Sequence, residues 1–307
     1  MSLALLFPGQ GTQHPAMLPW LDVMDEAFGT LGLLTDMLGA DWRGRLGDAG
    51  WASRNNVAQC LLTGVSVAAW QCLEGRVPAP SVIAGYSVGE LSAFCAAGVF
   101  DAVTAMRLAR DRAEAMDHSV AGYETGLLAV HGIQAGTIAD ACRRHGLAVA
   151  IRLATDRVVL GGLADALDRA QAELTTEGAR CTRLAINVAS HTPWMASATT
   201  ALAQRVAAMP FSVPRAALVC NFSGAAARSP GDLKRALAGQ IASTVLWDTC
   251  LDSIAERRVH CVLEVGPGST LSKLWSERHP DVPARSIDEF RSPDAVVRWV
   301  ADTLAGG

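Results

Sequence analysis

One serine in the sequence has the surroundings of a catalytic nucleophile. Ser87 lies in Gly85-Tyr86-Ser87-Val88-Gly89, which matches the pattern G-x-S-x-G. In this pattern a sharp turn joins a strand to a helix and leaves the serine hydroxyl exposed, and glycines are needed because the backbone is crowded there. An apolar strand pattern before the motif and a helical pattern after it fit that context. The alternative is a glycine-rich turn with a capping serine.

A serine needs a neighbouring base to be nucleophilic at neutral pH. The sequence offers seven histidines, at positions 14, 118, 131, 145, 191, 260 and 279. His191 is favoured because it follows a predicted strand and precedes a helix that starts at Pro193, so it lies on a strand-end loop, where catalytic residues gather. His14, after the first loop, is the weaker alternative.

The elements around these residues predict an α/β fold. Strand patterns alternate with helix patterns, which is typical of a parallel sheet covered by helices. Residues 124–187 follow instead the order β-α-β-β-α-β of a ferredoxin-like unit. We therefore expect a hydrolase-like large domain from residues 1–123 and 188–307, and an inserted ferredoxin-like small domain from residues 124–187. Helices are predicted over 101–117, with Asp101 as N-cap, and over 193–209.

Composition narrows the class of function. The 307 residues carry a net charge of −4 with 24 Arg and 2 Lys, which argues against nucleic acid as the main partner. No apolar run approaches the roughly 20 residues of a membrane span, and the apolar N-terminus is interpreted as a first strand and not as a signal peptide. The eight cysteines are scattered without a C-x-x-C pair. This pattern predicts reduced core residues in a cytoplasmic protein, and neither disulfides nor a metal site.

Four motifs, taken in order, carry a family resemblance. They are residues 7–13 (FPGQGTQ), 85–93 (GYSVGELSA), 190–191 (SH) and 264–268 (EVGPG). Together they resemble the malonyl-CoA:acyl carrier protein transacylase family over nearly the whole chain. The resemblance implies a malonyl acyl-enzyme on Ser87 with His191 as base, and an oxyanion held by the backbone N–H groups of Gln10 and Val88. It also implies malonyl-CoA as substrate, the prosthetic thiol of an acyl carrier protein as acceptor, and no tightly bound cofactor.

Arg112 is the candidate for substrate binding. On the predicted helix over 101–117, Arg112 falls only about 60° from the centre of the apolar face. A guanidinium there favours a planar anion, and the free carboxylate of malonyl is one that it could hold in a bidentate manner. The resemblance implies a malonate-binding arginine at this position. The alternative is an arginine that extends to solvent from the edge of the face, or that pairs with a protein carboxylate.

Some positions indicate a particular branch of the family. The residue before the nucleophile is usually His in this family and is Tyr86 here, and with the sequence GQGTQH at residues 9–14 it most resembles the malonate decarboxylase epsilon subunit. That branch loads malonyl onto the acyl carrier subunit of the decarboxylase. Malonyl transfer in fatty-acid or polyketide synthesis is the alternative role. Alternatives from other classes are a serine thioesterase or hydrolase and a non-catalytic carrier-docking protein.

The resemblance leaves the residue that orients His191 to be identified. Leu246 stands where related sequences often have Gln, and its backbone carbonyl is expected to orient His191, with the Asp248 carboxylate as a reserve. Gln59 and Asn221 are expected either to line the pocket or to be polar core residues with local partners. An acidic carrier needs a local positive patch on this acidic chain, and the stretches 205–215 and 143–144 are candidates for it.

Overall fold

The computed structural model describes residues 1–306, and it confirms the predicted α/β class. The strands are β1 Leu3–Phe7, β2 Val82–Gly85, β3 Thr125–His131, β4 Ala148–Ala154, β5 Arg157–Leu163, β6 Arg180–Arg183, β7 Ala217–Val219, β8 Ala226–Ala227, β9 Val245–Leu246, β10 Cys261–Glu264 and β11 Ala284–Ser286. The helices are α1 Asp25–Leu38, α2 Ala49–Ala52, α3 Asn55–Gln71, α4 Gly89–Ala96, α5 Ala102–Ser119, α6 Ala135–His145, α7 Ala164–Thr176, α8 Ala196–Ala207, α9 Pro230–Gly239, α10 Trp247–Ala255, α11 Thr270–Arg278 and α12 Pro293–Gly306.

The large sheet has six strands in the order β11-β10-β1-β2-β7-β8. All neighbours are parallel except β7 and β8. The central strand β1 is buried along its whole length, and its alternate residues enter two different apolar clusters. Both faces of the sheet are therefore covered, as a parallel sheet requires.

The second sheet has five strands in the order β6-β3-β5-β4-β9. Its first four strands and the helices α6 and α7 follow one another as β-α-β-β-α-β between Thr125 and Arg183. The fifth strand, β9, was not expected: it comes from the segment after residue 188 and pairs in parallel with β4. The domain boundaries at 124 and 187 stay a prediction, since β9 links the small sheet to the rest of the chain.

Two helix predictions met different outcomes. The helix predicted over 101–117 is α5, and the Asp101 side chain accepts the backbone N–H of Thr104 at 2.8 Å, which confirms the N-cap. The helix predicted over 193–209 is instead a 3-10 turn, Pro193–Met195, followed by α8. No helix within residues 1–306 is long and apolar enough to cross a membrane.

Candidate active site

Ser87 lies in a strained turn between β2 and α4. Its φ of 55° is in the left-handed region that non-glycine residues seldom adopt. The flanking glycines are sterically required: a Cβ on Gly85 would come within 2.1 Å of the carbonyl oxygen of Gly89, and one on Gly89 within 2.2 Å of that of Phe7. The turn therefore has the geometry of a nucleophile elbow, with the serine at the carboxyl end of a central strand.

His191 contacts Ser87 directly. Its Nε2 lies 2.7 Å from Ser87 Oγ, and its Nδ1 lies 2.7 Å from the backbone carbonyl oxygen of Gln240. Because a carbonyl oxygen only accepts, Nδ1 carries the proton and Nε2 is free to accept from the serine hydroxyl. Burial lowers the pKa of His191 to about 3, helped by the nearby positive charge of Arg112, so the imidazole is neutral at pH 7.

The prediction that Leu246 orients His191 is wrong. The carbonyl that accepts from His191 belongs to Gln240, in the 3-10 turn Gln240–Ala242 that follows α9. Leu246 lies in β9, where it pairs with Arg152 of β4 and donates its N–H to Asn221. Asp248 is no reserve either, because its carboxylate accepts from Arg152 Nε at 2.7 Å. Leu246 and Asp248 both contact Arg152 of the small sheet, and they lie six and eight positions after Gln240, whose carbonyl reaches His191.

Two backbone donors near Ser87 have no acceptor. Within residues 1–306, neither Gln10 N–H nor Val88 N–H makes a hydrogen bond to the protein. Helix α4 also lacks a side-chain N-cap. The loop that carries Gln10 packs tightly, since a Cβ on Gly9 would lie 2.7 Å from the Tyr86 ring. The Val88 N–H lies at the start of α4, where a free donor is suited to a developing negative charge, whereas Gln10 lies in the loop after β1. The oxyanion role of Gln10 and Val88 stays a prediction.

Arg112 is buried in α5, with 1% of its surface exposed. It donates from one terminal nitrogen to Gln59 Oε1 at 2.6 Å and from the other to Gln240 Oε1 at 3.4 Å. Its buried Nε has no partner, and no carboxylate of residues 1–306 forms an ion pair with it. Arg112 is therefore not solvent-exposed and makes no direct ion pair within the described residues, and its role in substrate binding stays a prediction. Burial lowers the pKa of Arg112 to about 10, and the charge of the buried Glu90 carboxyl opposes this shift.

Asn221 supports the elbow and does not line the pocket. Its Oδ1 accepts the Ser87 N–H at 2.7 Å and its Nδ2 donates to the Gly85 carbonyl at 2.6 Å, so one amide spans the strained turn. The backbone N–H of Asn221 donates to Glu90 Oε1 at 2.6 Å. Glu90 is fully buried, which raises the pKa of its carboxyl to about 8, and its Oε2 has no partner.

Sequence reasoning missed Gln240 and Glu90. Glu90 could have been found, because it comes directly after the G-x-S-x-G motif. Gln240 carries no motif, and its only indication is a polar residue just beyond the amphipathic helix α9. Only the folded chain brings it beside Ser87, His191 and Arg112.

A cleft of about 640 Å³ lies beside the elbow, between the large and small sheets. Tyr86 and Gln10 form part of one wall, and Ala129 and Val159 of the small sheet form part of the other. His14, the weaker candidate base, also lines the cleft, but it is hydrogen-bonded to Asp288 and does not contact Ser87. The walls are mostly apolar, which suits a narrow and uncharged part of a ligand.

The arginines considered for carrier docking have carboxylate partners. Arg205 pairs with Asp111 at 3.1 Å and Arg215 with Glu74 at 2.9 Å. In the other stretch, Arg143 pairs with Asp140, and Arg144 pairs with a glutamate of α7. Neither stretch therefore offers much unmatched positive charge to an acidic partner.

The elbow, the histidine hydrogen-bonded to Ser87 and the free N–H at the helix start are suited to nucleophilic acyl chemistry. Comparison with known proteins identifies the family. The sequence profile of the acyl transferase domain matches residues 34–284. The chain therefore belongs to the acyl transferase domain family, and it is an acyltransferase.

Several relatives match nearly the whole chain. The malonyl CoA-acyl carrier protein transacylases of Mycobacterium tuberculosis and Escherichia coli are 32% and 30% identical to it, and each alignment covers 93% of this chain and 96% of the relative. The crystal structure of an acyl-carrier-protein S-malonyltransferase from Burkholderia pseudomallei superposes with a TM-score of 0.88 at 27% identity, covering 97% of this chain and all of the other. A malonyl-transacylase solved in complex with a type II polyketide acyl carrier protein superposes with a TM-score of 0.90 at 28% identity, covering 97% and 99%.

Proposed function

We propose that this protein is a malonyl-CoA:acyl carrier protein transacylase that works through a malonyl ester of Ser87. The observation that carries the proposal is the buried Arg112 guanidinium, which lacks a carboxylate partner and is linked to Ser87 and His191 through Gln240. An unpaired buried cation favours a substrate that brings its own carboxylate, as malonyl does. The relatives named above carry the same activity in their names.

The geometry supports a two-step transfer. Ser87 Oγ attacks the thioester carbonyl carbon while His191 Nε2 takes the hydroxyl proton. Gln10 and Val88 donate to the oxyanion; when it collapses, the carbon–sulfur bond breaks and the CoA sulfur receives the proton from Nε2. The carrier thiol then attacks the malonyl ester in the same way and restores Ser87. The apolar cleft accepts the thiol arm of each partner in turn.

For the particular role, we favour loading of the acyl carrier subunit of a malonate decarboxylase. Tyr86 and the sequence GQGTQH at residues 9–14 support this branch. Fatty-acid or polyketide synthesis fits the relatives equally well, since one of them was solved with a polyketide carrier. The eight free thiols support a reducing, cytoplasmic setting. Malonyl-CoA and a carrier protein are the partners, and no tightly bound cofactor enters the mechanism.

The first test compares acyl groups. Arg112→Gln should lower transfer of malonyl from malonyl-CoA by about a hundredfold, the loss expected for one charged, desolvated contact. Transfer of acetyl from acetyl-CoA should improve relative to malonyl, because acetyl has no carboxylate to bind. The rates of carrier acylation are followed by intact-protein mass spectrometry. Equal losses for both acyl groups would show that Arg112 does not bind the carboxylate.

The same assay separates the remaining alternatives. A thioesterase would release free malonate without a carrier as fast as it transfers malonyl, whereas a transferase should hold the acyl-enzyme until a thiol arrives. Holo carriers from malonate decarboxylase, fatty-acid synthesis and polyketide synthesis are offered separately. The carrier with the highest kcat/KM identifies the branch, and a decarboxylase subunit that performs no better than the others would contradict our preference.

A further inference from the structure

Gln240 contacts three residues of the proposed site, Ser87, His191 and Arg112. Its backbone carbonyl accepts from His191 Nδ1, its Nε2 donates to the Ser87 carbonyl oxygen at 3.1 Å, and its Oε1 accepts from Arg112 at 3.4 Å. We infer that the Gln240 side chain is a positioning residue that couples carboxylate binding at Arg112 to attack by Ser87. The inference rests on the proposed function, and it gives Gln240 a part in selecting malonyl over acyl groups without a carboxylate.

The chemistry of the two contacts suits an amide. Arginine only donates and a backbone carbonyl only accepts, so the side chain between them must accept at one end and donate at the other. Glutamine satisfies both with one rigid, planar group. A carboxylate would keep the contact to Arg112 but would repel the Ser87 carbonyl, and an apolar side chain would lose both contacts.

The size of malonyl gives this coupling its importance. One methylene separates its carboxylate from the thioester carbonyl, so a carboxylate bound at Arg112 fixes where the reacting carbon lies. Attack then depends on the separation between the guanidinium and Ser87, because reaction rates fall steeply with small errors in approach. The Gln240 side chain bridges these two groups, and it is completely buried. It therefore holds the Arg112 guanidinium and Ser87 at the separation that malonyl requires. Acetyl has no carboxylate to bind at Arg112, so this separation does not affect its reaction.

Gln59 is the matched control. It also accepts from Arg112, at 2.6 Å, but its Nε2 donates to Asn55 Oδ1 at 2.6 Å and makes no hydrogen bond to Ser87. A change at Gln59 should therefore loosen Arg112 without disturbing Ser87. We expect Gln59→Leu to raise the half-saturating concentration of malonyl-CoA more than it lowers the limiting rate of acylation.

The experiment measures formation of the acyl-enzyme by rapid quench and intact-protein mass spectrometry, with malonyl-CoA and acetyl-CoA as probes. Gln240→Leu should lower the limiting rate with malonyl about tenfold more than with acetyl, which is about the value of one weak hydrogen bond to a charged group. In an Arg112→Gln background the excess loss should disappear, because no carboxylate is then held. Gln240→Glu should also lose the preference for malonyl, since its carboxylate occupies Arg112.

A merely structural role would give a different result. Every substitution at position 240 keeps the backbone carbonyl that accepts from His191. The apparent pKa of the acylation rate should therefore stay unchanged if His191 stays in place. Equal losses for the two acyl groups, or an excess loss that persists without Arg112, would overturn the inference. Gln240→Met fills the same space and replaces the leucine variant if that one does not fold. A wild-type protein that forms no malonyl ester contradicts the proposed function itself, whereas a normal ester with unaltered Gln240 variants contradicts only this inference.

Discussion

Strands β2 and β10 lie on either side of β1 in the large sheet, and both end in glycine-rich turns that lead into a helix. Both turns are crowded. A Cβ on Gly85 would meet the Gly89 carbonyl oxygen at 2.1 Å, and one on Gly266, whose φ is 149°, would meet Pro8 Cγ at 2.5 Å. By local geometry alone the two turns are close counterparts, and each one needs glycine for steric reasons.

The start of the following helix is what distinguishes them. In α11 the carboxylate of Glu264 accepts the N–H groups of Leu271 and Ser272, at 3.1 and 2.8 Å, so the first turn of the helix is closed. In α4 no side chain caps the helix, and the Val88 N–H stays free beside Ser87. A strand-to-helix turn is thus suited to chemistry when its donors are left for a ligand, and it is structural when a side chain takes them.

Removal of the Ser87 hydroxyl, in the β2 turn, should have the largest effect on malonyl transfer. Ser87→Ala should lower malonyl transfer by at least about 10⁴-fold, because the acyl-enzyme cannot form. Intact-protein mass spectrometry after mixing with malonyl-CoA checks this directly. The control is Ser269→Ala in the β10 turn, which should leave the rate within about twofold. An adduct that survives in Ser87→Ala would end the assignment of the nucleophile.

The pH dependence of acylation tests whether the network of the β2 turn is as buried as it is in the structure. The pKa of His191 is lowered to about 3, so the neutral base persists as pH falls from 7 to 5. The acylation rate constant should then change less than about twofold over this range. A histidine of ordinary pKa would lose roughly 25-fold. A loss of that size, measured by rapid quench, would show that His191 is exposed to solvent in the working enzyme.

The smallest effects are expected on stability, from a Glu→Gln substitution beside each turn, at Glu90 after the β2 turn and at Glu264 before the β10 turn. Glu264→Gln keeps one acceptor for two N–H groups and should cost about 1–3 kcal/mol in the free energy of unfolding. Burial raises the pKa of both carboxyls, to about 7 for Glu264 and to about 8 for Glu90, but only Glu90 has a carboxyl oxygen, Oε2, without a partner. Because folding raises the pKa of Glu90 from 4.5, its ionisation opposes folding increasingly as pH rises above 4.5. Glu90→Gln should therefore raise Tm only slightly at pH 5 and more at pH 8.

Thermal unfolding of the two variants at both pH values checks this contrast. At this chain length, 1 kcal/mol corresponds to about 2–4 °C in Tm. Equal destabilisation by the two substitutions would mean that both carboxylates accept N–H groups at the start of a helix. The two turns would then not differ in the way proposed.

The sequence alone predicted the α/β class and drew attention to Ser87, His191 and Arg112. It could do so because local rules apply to them: glycine spacing marks a crowded turn, and the position of Arg112 on the helix places it near the apolar face. Asp101 as N-cap is a further local rule that the structure confirms. For each of these residues, neighbours within a few positions carry the information.

Only the tertiary structure decided which groups meet. The carbonyl that orients His191 comes from Gln240, 49 positions away, and Asn221 reaches Ser87 across 134 positions. The Leu246 prediction failed because position along a segment says little about which loop folds over the site. The lack of a carboxylate partner for Arg112 was equally invisible in the sequence. Whether a charge is paired depends on the burial and contacts of the whole fold, and local spacing cannot encode them.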